Sequence, residues 1–311
     1  AAYWAADFWR NKFSTKKNIT NSYGFPFVGF QTGSDEFFLR LAWESPPSEI
    51  GGRTAQWVSF AKGGEYAQFF CDLHLLVNWK FRELARRTSN SDGYFQPGVT
   101  YTERTTSNLS ARILPPDCVF SPNGVTIVSS KSDVADCAAV LNTRASQFFI
   151  ELCVGGGDAV YSGSAARHYG PRIVGRTPTP NLSSEDKEAV ERSSLRIWRL
   201  FQLHDAIAEP GRYFVSPFYA LGVPEATVAL HSEVVQRFWE DRLLEILEEH
   251  YSIDRLITSA LGIRGAIEDE MIREMGVHPK ELPDSNLQDK EALSADYVRA
   301  ADELIDLISQ R

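Results

Sequence analysis

The spacing of apolar residues divides the chain into two regions of different texture. Between residues 24 and 130, short runs of aromatic and β-branched residues alternate with clusters of Gly, Pro, Asn and Ser, which is typical of strands joined by loops. The predicted strands are 57–60, 73–79, 98–101, 110–114 and 126–129. Helical spacing predicts a short helix over 3–13 and a longer one over 133–154, which Gly155, Gly156 and Gly157 end. A short strand is predicted over 172–174.

Beyond residue 182 the pattern changes to that of long helices. The predicted helices are 183–203, 227–249, 253–261, 266–275 and 294–310. The Pro-containing stretch 177–180 is the predicted domain boundary. The expected fold class is therefore α+β, with a β-rich domain with long loops over residues 1–180 and an acidic helical domain over 181–311.

Charge is distributed unevenly between these two regions. The net charge of the 311 residues is −9, which alone would disfavour a nucleic-acid partner. Residues 1–180, however, hold 18 Lys and Arg against 15 Asp and Glu, whereas residues 181–311 hold 14 against 26. Such asymmetry indicates that the front region contacts nucleic acid and that the second region has a different partner.

Several other classes of protein are not supported by the sequence. Its four cysteines are widely spaced and match no zinc pattern, so no metal site is expected. No apolar run is long enough to span a membrane and no leader is recognisable, so we expect a cytoplasmic protein without membrane contact. The glycine cluster over 154–163 follows a helix and therefore lacks the context of a nucleotide-binding loop. The segment 45–48, Ser-Pro-Pro-Ser, lacks the aromatic residue of a base-stacking methyltransferase motif.

The features that favour DNA binding lie in the front region. Lys62, Gly63 and Gly64 follow a predicted strand and place free backbone N–H groups beside a cation, although an ordinary hairpin turn is equally consistent with them. The segment 101–108 is rich in the side chains that contact base edges and phosphates, as a solvated loop would also be. A second basic and aromatic cluster consists of Arg167, His168, Tyr169, Arg172 and Arg176.

Seven segments, in this order along the chain, resemble a known family. They are GFQTGSDEFFLRLAWE (29–44), WVSFAKGGEY (57–66), LLVNWK (75–80), YFQPGVTYTERT (94–105), SARILPPDCVFSPNG (110–124), AVLNTRASQFFIEL (139–152) and PRIVGRTPTP (171–180). The sequence resembles the C-terminal specificity region of the PglX-like adenine-specific methyltransferases of BREX phage-defence systems and of related single-chain restriction-modification enzymes. The resemblance covers residues 1–180, and the helical tail only loosely.

The resemblance implies a part of an N6-adenine DNA methyltransferase that recognises the target site on duplex DNA. In such enzymes a preceding catalytic domain binds S-adenosylmethionine through a Phe-x-Gly-x-Gly motif and contains an Asn-Pro-Pro-Tyr motif. Neither motif is present in this chain, so we expect no cofactor in it and no activity of the chain alone. The implied partners are double-stranded DNA, the catalytic domain or subunit, and possible further phage-defence proteins.

The resemblance also assigns roles to residues of the front region. It implies DNA contacts near the extruded base for Gln31, Thr32 and Ser34. Phosphate contacts are expected for Lys62, Gly63, Gly64, Lys80 and Arg176, and sequence reading for Arg104, Thr105, Thr106, Ser107, Asn108 and Arg112. Arg167, Tyr169 and Arg172 complete the expected DNA-binding set. An alternative function is a protein-interaction module that docks defence-complex partners or a DNA-mimicking inhibitor.

Overall fold

The computed structural model describes residues 5–70, 72–88, 91–129, 133–154, 167–207, 211, 213–215 and 228–282, with the backbone alone described for 91, 228–235, 237 and 238. Within these ranges the strands are β1 (Pro26–Phe27), β2 (Phe30–Gln31), β3 (Leu39–Leu41), β4 (Trp57–Ala61), β5 (Leu75–Asn78), β6 (Arg87–Thr88), β7 (Gly98–Thr102), β8 (Arg104–Thr105), β9 (Ala111–Leu114), β10 (Cys118–Phe120), β11 (Gly124–Val128) and β12 (Arg167–His168). The helices are α1 (Asp7–Lys12), α2 (Ile19–Ser22), α3 (Asp35–Phe38), α4 (Val134–Leu141), α5 (Arg144–Val154), α6 (Pro171–Val174), α7 (Ser184–Ile207), α8 (Val228–Ala260) and α9 (Ala266–Met275). Short 3-10 helices include Trp79–Leu84 and Pro279–Glu281.

The strands form two four-stranded sheets and two short ribbons. The first sheet has the order β1-β11-β7-β9 and is antiparallel throughout. The second sheet has the order β10-β4-β5-β3, in which β10 and β4 are parallel and the other pairs antiparallel. The ribbons pair β2 with β6 and β12 with β8. The predicted α+β class is confirmed.

The five predicted strands between residues 57 and 129 are present as β4, β5, β7, β9 and β11, with bounds shifted by no more than two residues. All five side chains of β4 are buried, because the strand is covered on both faces. A continuous apolar run is the expected sequence of such a strand, and the Gly, Pro and Asn residues between the runs mark the loops correctly.

The helix predicted over 133–154 is wrong in one respect, because it is divided into α4 and α5 at Asn142 and Thr143. The side-chain amide of Asn142 bonds the backbone of Ala111, with Oδ1 accepting from the N–H at 2.8 Å and Nδ2 donating to the carbonyl at 2.8 Å. The hydroxyl of Thr143 accepts from the N–H of Ser146 at 3.2 Å and caps the start of α5. Asn142, at the break, therefore connects the two helices to β9.

Three further predictions differ from the structure. The strand predicted over 172–174 is wrong, since this segment is the helix α6, and Pro at its first turn suits a helix start. The helices predicted over 227–249 and 253–261 are one continuous helix, α8, which contains neither Gly nor Pro and ends before Gly262 at φ +77°. The first helix spans Asp7–Lys12, and residues 3 and 4 of its predicted span lie outside the described residues. The glycines at 155–157 and the helix predicted over 294–310 lie outside the described residues.

Two hydrophobic clusters support this arrangement. The larger joins the first sheet to α4 and α5 and also includes Val190 of α7 and Ile253 and Ile257 of α8. The smaller surrounds the second sheet and is rich in aromatic rings, including Phe30, Trp79 and Phe120. Buried residues on both sides of position 180 thus share one cluster, and the proposed domain division at 180 stays a prediction. No helix in the described part of the chain is long and apolar enough to cross a membrane.

Candidate nucleic-acid interface

Loops from both sheets meet at one end of the β-rich region. β4 and β10 run parallel and end together at Ala61 and Phe120, and Thr102 at the end of β7 pairs with Gly124 at the start of β11. The turn over 121–123 joins the two sheets, with the N–H of Ser121 donating to the Ala61 carbonyl at 2.9 Å. We call this surface the loop end and define it as residues 28–35, 62–67, 86, 102–110 and 121–123.

A polar cleft of about 390 Å³ opens at the loop end. Its polar lining includes Gln31, Thr32, Lys62, Arg86, Ser121 and Asn123. The loop after β1 lies against β10 because Gly29 has no side chain, and a Cβ there would be 1.9 Å from the Phe120 carbonyl oxygen. Three of the residues predicted to contact DNA, Gln31, Thr32 and Lys62, are thereby brought together, whereas Ser34 is exposed beside the cleft at the start of α3.

Sequence reasoning missed Arg86 and Asn123, which complete this cleft. Arg86 is exposed, and its N–H donates to the Thr32 carbonyl at 3.3 Å. Asn123 is also exposed, at the turn between the sheets. The adjacent arginines at 86 and 87 in a polar segment were the available signal for the first residue, whereas the second becomes recognisable only when the two sheets are assembled.

Lys62 is paired with an acid inside the cleft. Its Nζ donates to Oδ2 of Asp35, and the Thr32 hydroxyl donates to Oδ1 of the same carboxylate at 2.7 Å. These two hydrogen bonds, that of Lys62 first, lower the pKa of Asp35. Since both partners are partly exposed, the pair is accessible to an incoming anion that could compete for Lys62.

The glycines after Lys62 take backbone conformations that other residues rarely adopt. The φ angles are +93° at Gly63 and +139° at Gly64. A Cβ on Gly63 would lie 3.0 Å from the Asn123 carbonyl oxygen, so the loop also depends on close approach to the turn over 121–123. The Gly64 carbonyl accepts from the Thr102 hydroxyl at 3.1 Å. This loop is therefore a fixed part of the loop end.

Arg112, which we expected to read DNA sequence, has a structural role instead. Its side chain lies inside the molecule and is only 3% exposed. The guanidinium donates to the carbonyls of Gly63 at 3.1 Å, Glu65 at 3.0 Å and Ala67 at 3.2 Å, and also to the Thr102 hydroxyl at 2.6 Å. Because its guanidinium N–H groups are bonded to these buried-side acceptors of the loop, Arg112 cannot reach a duplex. Arg112 is a positioning residue for the Lys62 loop.

The predicted loop over 101–108 is anchored by the segment that follows α5. Arg104 and Thr105 pair with His168 and Arg167 in a short ribbon, and Arg167 Nη1 donates to the Thr106 carbonyl at 3.2 Å. This pairing leaves Arg104, Thr106 and Asn108 exposed, and Thr105 and Ser107 half-buried. In the described part of the chain, the Arg104 side chain has no ion-pair partner.

Tyr169 is another expected DNA contact that lies in the interior. Its ring is fully buried, and its hydroxyl donates to the Ser107 carbonyl at 3.2 Å and bonds Gln147 and Glu151 at 3.3 Å. Burial is the main cause that raises the pKa of Tyr169 well above its usual range. The residue supports the 102–108 loop from beneath and does not face solvent.

The remaining expected contacts are distributed over other surfaces. Lys80 follows β5, whose end at Asn78 pairs with Trp57, so this lysine lies at the end of β4 opposite to Lys62. Arg172 is exposed at the edge of an apolar groove of about 580 Å³ that Phe25, Phe27 and Val28 also line. Arg176 is exposed beyond α6, and Asn108 also borders a separate groove against α8.

Comparison with known proteins places this geometry in context. No protein-family model matches the chain. Among solved structures, the Type IIL restriction-modification enzyme MmeI in complex with DNA is similar with a TM-score of 0.47 and 12% identity, over 84% of this chain and 36% of that one.

Two curated proteins are similar in sequence. The adenine-specific methyltransferase BrxX of Escherichia coli O9:H4 (strain HS) is 27% identical over 123 residues, which are 36% of this chain and 10% of the relative. The adenine-specific methyltransferase PglX of Lacticaseibacillus casei (strain Zhang) is 25% identical over 193 residues, 53% of this chain and 16% of the relative. The matched parts thus span only a small fraction of each relative. The resemblance to PglX-like adenine-specific methyltransferases that the sequence segments indicated is confirmed.

Proposed function

We propose that this chain recognises duplex DNA for an N6-adenine DNA methyltransferase of a phage-defence or restriction-modification system. The observation that supports the proposal most strongly is the composition of the loop end. Exposed cations (Arg86, Arg104 and the partly exposed Lys62) lie there beside amide side chains and backbone N–H groups. Cations and N–H groups bind phosphates, whereas amides read base edges.

Two side chains of the cleft fit adenine in particular. Gln31 and Asn123 both line it, and an amide can donate to N7 and accept from N6 of adenine in a bidentate pair in the major groove. Gln31 is held in the ribbon of β2 and β6, and Asn123 lies in the turn that joins the two sheets, so the positions of both are set before DNA arrives. Pre-set geometry lowers the entropic cost of binding.

The methyl donor belongs, in this proposal, to another part of the enzyme. Residues 45–48 lead into a 3-10 helix at Pro47–Glu49 and carry no aromatic ring to stack on an extruded base. This segment does not fit the base-binding motif of an amino-methyltransferase. The chain would hold the duplex and check neighbouring bases, while S-adenosylmethionine and the extruded adenine bind in the catalytic domain.

Fluorescence anisotropy with a labelled duplex tests the proposal. We expect salt-sensitive binding by the chain and a loss of about 1–3 kcal/mol on Arg104→Ala if this arginine contacts a base edge. Arg273→Ala, which removes an exposed arginine on α9, is the matched control and should leave binding unchanged. Absence of binding at low salt, or equal losses for both variants, would contradict the proposal. A protein complex that forms with Lys62 and Arg104 both replaced would favour the interaction-module alternative.

A further inference from the structure

Three exposed apolar side chains lie close in sequence to Asp35 and Arg86, which line the cleft of the loop end. Leu84 is 69% exposed, Phe37 47% and Phe81 41%. The rings of Phe37 and Phe81 are 5.9 Å apart between centroids, and Leu84 is three residues beyond Phe81 in the 3-10 helix Trp79–Leu84. We call these three residues the apolar tip.

The backbone that carries the apolar tip is fixed at both ends. On one side, Arg82 Nη1 donates to the Trp79 carbonyl at 3.1 Å and its guanidinium lies 5.5 Å from the Trp79 ring, which belongs to the aromatic cluster. On the other side, the N–H of Arg86 donates to the Thr32 carbonyl, and Arg87 pairs with Gln31. Leu84 is thus exposed on a turn that is bonded to the aromatic cluster on one side and to residues of the cleft on the other.

Two cations follow Leu84 on this turn, and both Arg86 and Arg87 are exposed. Arg82, on its other side, pairs with Glu83 at 3.5 Å. Arg86 lines the cleft that also contains Lys62. An exposed leucine by itself is ordinary on a protein surface. Leu84, however, is exposed on an anchored turn, two residues from an arginine that lines a polar cleft. Such a surface is complementary to a stacked nucleic-acid duplex, which has charged phosphates outside and an apolar interior.

We propose that Leu84, supported by Phe81, is a wedge that enters the DNA duplex between neighbouring base pairs beside the cleft. This inference rests on the proposed function and adds a deformation of the DNA to it. Apolar side chains inserted at a base step partly unstack it and kink the duplex, while nearby cations hold the flanking phosphates. A wedge at this position would weaken the stack of the base that the catalytic domain must extrude.

Leu243 provides a matched control. It is 55% exposed on α8, but its neighbours in sequence include Glu240, Asp241 and Glu245. A leucine in such acidic surroundings does not favour contact with phosphates. Leu243 does not line the cleft that contains Arg86 and Lys62, so replacing it removes a similar apolar surface outside that cleft.

The experiment measures the affinity of the chain for two duplexes of about 30 base pairs, one intact and one with a single central mismatch, at low salt. The wild type should bind the mismatched duplex more tightly, because the bases at a mismatch are already partly unstacked and less free energy is needed to separate them. Leu84→Ala should lose about tenfold in affinity for the intact duplex and lose the preference for the mismatch. Its salt dependence should stay that of the wild type, since no charge is removed.

Leu84→Met should retain both properties, and Leu243→Ala should match the wild type. Binding of both duplexes by Leu84→Ala with wild-type affinity and preference would overturn the wedge while leaving the proposed function intact. No binding of either duplex by the wild type would instead refute the proposed function, and the wedge with it.

Discussion

The loop end and the junction between α5 and α8 both contain arginines, but the two regions use them differently. At the loop end, Arg86 and Arg104 are exposed and their charges face solvent. At the junction, Arg144 is nearly buried and bonds the fully buried Asp254 through Nε at 2.9 Å and Nη2 at 2.8 Å. A charge that faces solvent can bind phosphate, whereas a charge that is satisfied inside the molecule holds helices together.

A chain of hydrogen bonds extends the junction toward the loop end. The N–H of Lys280 donates to Nδ1 of His278 at 3.2 Å, and Nε2 of His278 lies 2.8 Å from Nδ1 of His250. His250 Nε2 then donates to the Asn142 carbonyl at 3.0 Å. One arrangement of protons satisfies all four ring nitrogens. In it both rings are neutral, and Nε2 of His278 donates to Nδ1 of His250. Since Asn142 also bonds Ala111, next to Arg112, the helical region is connected to the support of the Lys62 loop.

The largest effect is expected at the buried ion pair of the junction. Asp254→Ala removes the buried carboxylate closest to Arg144 and leaves it the more distant Glu281, and it should lower the free energy of unfolding by about 3–5 kcal/mol. Glu268→Ala, which removes the partner of the exposed Arg255, should cost about 1 kcal/mol or less. Denaturant titration checks both values. Similar costs for the two variants would mean that the junction does not stabilise the fold.

Arg112→Met is expected to have the next largest effect and to connect the two regions. Each loop carbonyl left without its donor costs about 1–3 kcal/mol where it stays buried. We expect lower stability, faster hydrogen exchange over residues 63–67 and weaker DNA binding, although Arg112 itself cannot touch DNA. Unchanged exchange in that loop would show that Arg112 does not position it.

The histidine pair should make stability depend on pH. Burial is the main cause that lowers the pKa of His250 and lowers that of His278 to about 4. In the unfolded chain both titrate near the usual value of about 6.5. Stability is therefore complete above this value and declines as the pH falls from 6.5 toward 4. Asp254, Arg144 and Glu281 face the same pair.

Thermal unfolding across this pH range measures the decline. His278→Asn should be less stable than the wild type at pH 7 but should lose less stability on acidification. Parallel declines for the two proteins would argue against the pair as the source. The half-buried His74, whose pKa is raised mainly by the hydrogen bond that it donates to the Asp72 carboxylate, offers a control because its replacement should not flatten the acid decline.

The smallest expected effect concerns the acid of the cleft. Asp35→Asn frees Lys62 and removes a negative charge, so DNA affinity should increase severalfold. The slope of log affinity against log salt should steepen by about one if Lys62 then gains a phosphate contact. Glu36→Gln removes a neighbouring charge that does not bond Lys62, and its effect should be weaker. Equal effects would mean that only net charge matters at the loop end.

The sequence predicted more of the fold than of the site. Apolar spacing located the strands and the long helices because burial repeats with the period of each element. The break at Asn142 was not predictable, since it depends on Ala111 of a distant strand. For the same reason Arg112 was assigned to DNA, because three loop carbonyls converge on its guanidinium only after folding. Conversely, the turn after Lys62 could be predicted locally, because two successive glycines favour the positive φ angles that Gly63 and Gly64 adopt; the phosphate contacts assigned to it stay a prediction.

Hydrogen–deuterium exchange of the chain with and without duplex DNA at low salt tests most directly whether the loop end binds DNA. We expect slower exchange over residues 28–35, 62–67, 102–108 and 121–123, with α8 and α9 unaffected. Protection confined to the helical region would contradict a DNA-binding role for the loop end. So would the absence of protection at a DNA concentration that saturates an active methyltransferase.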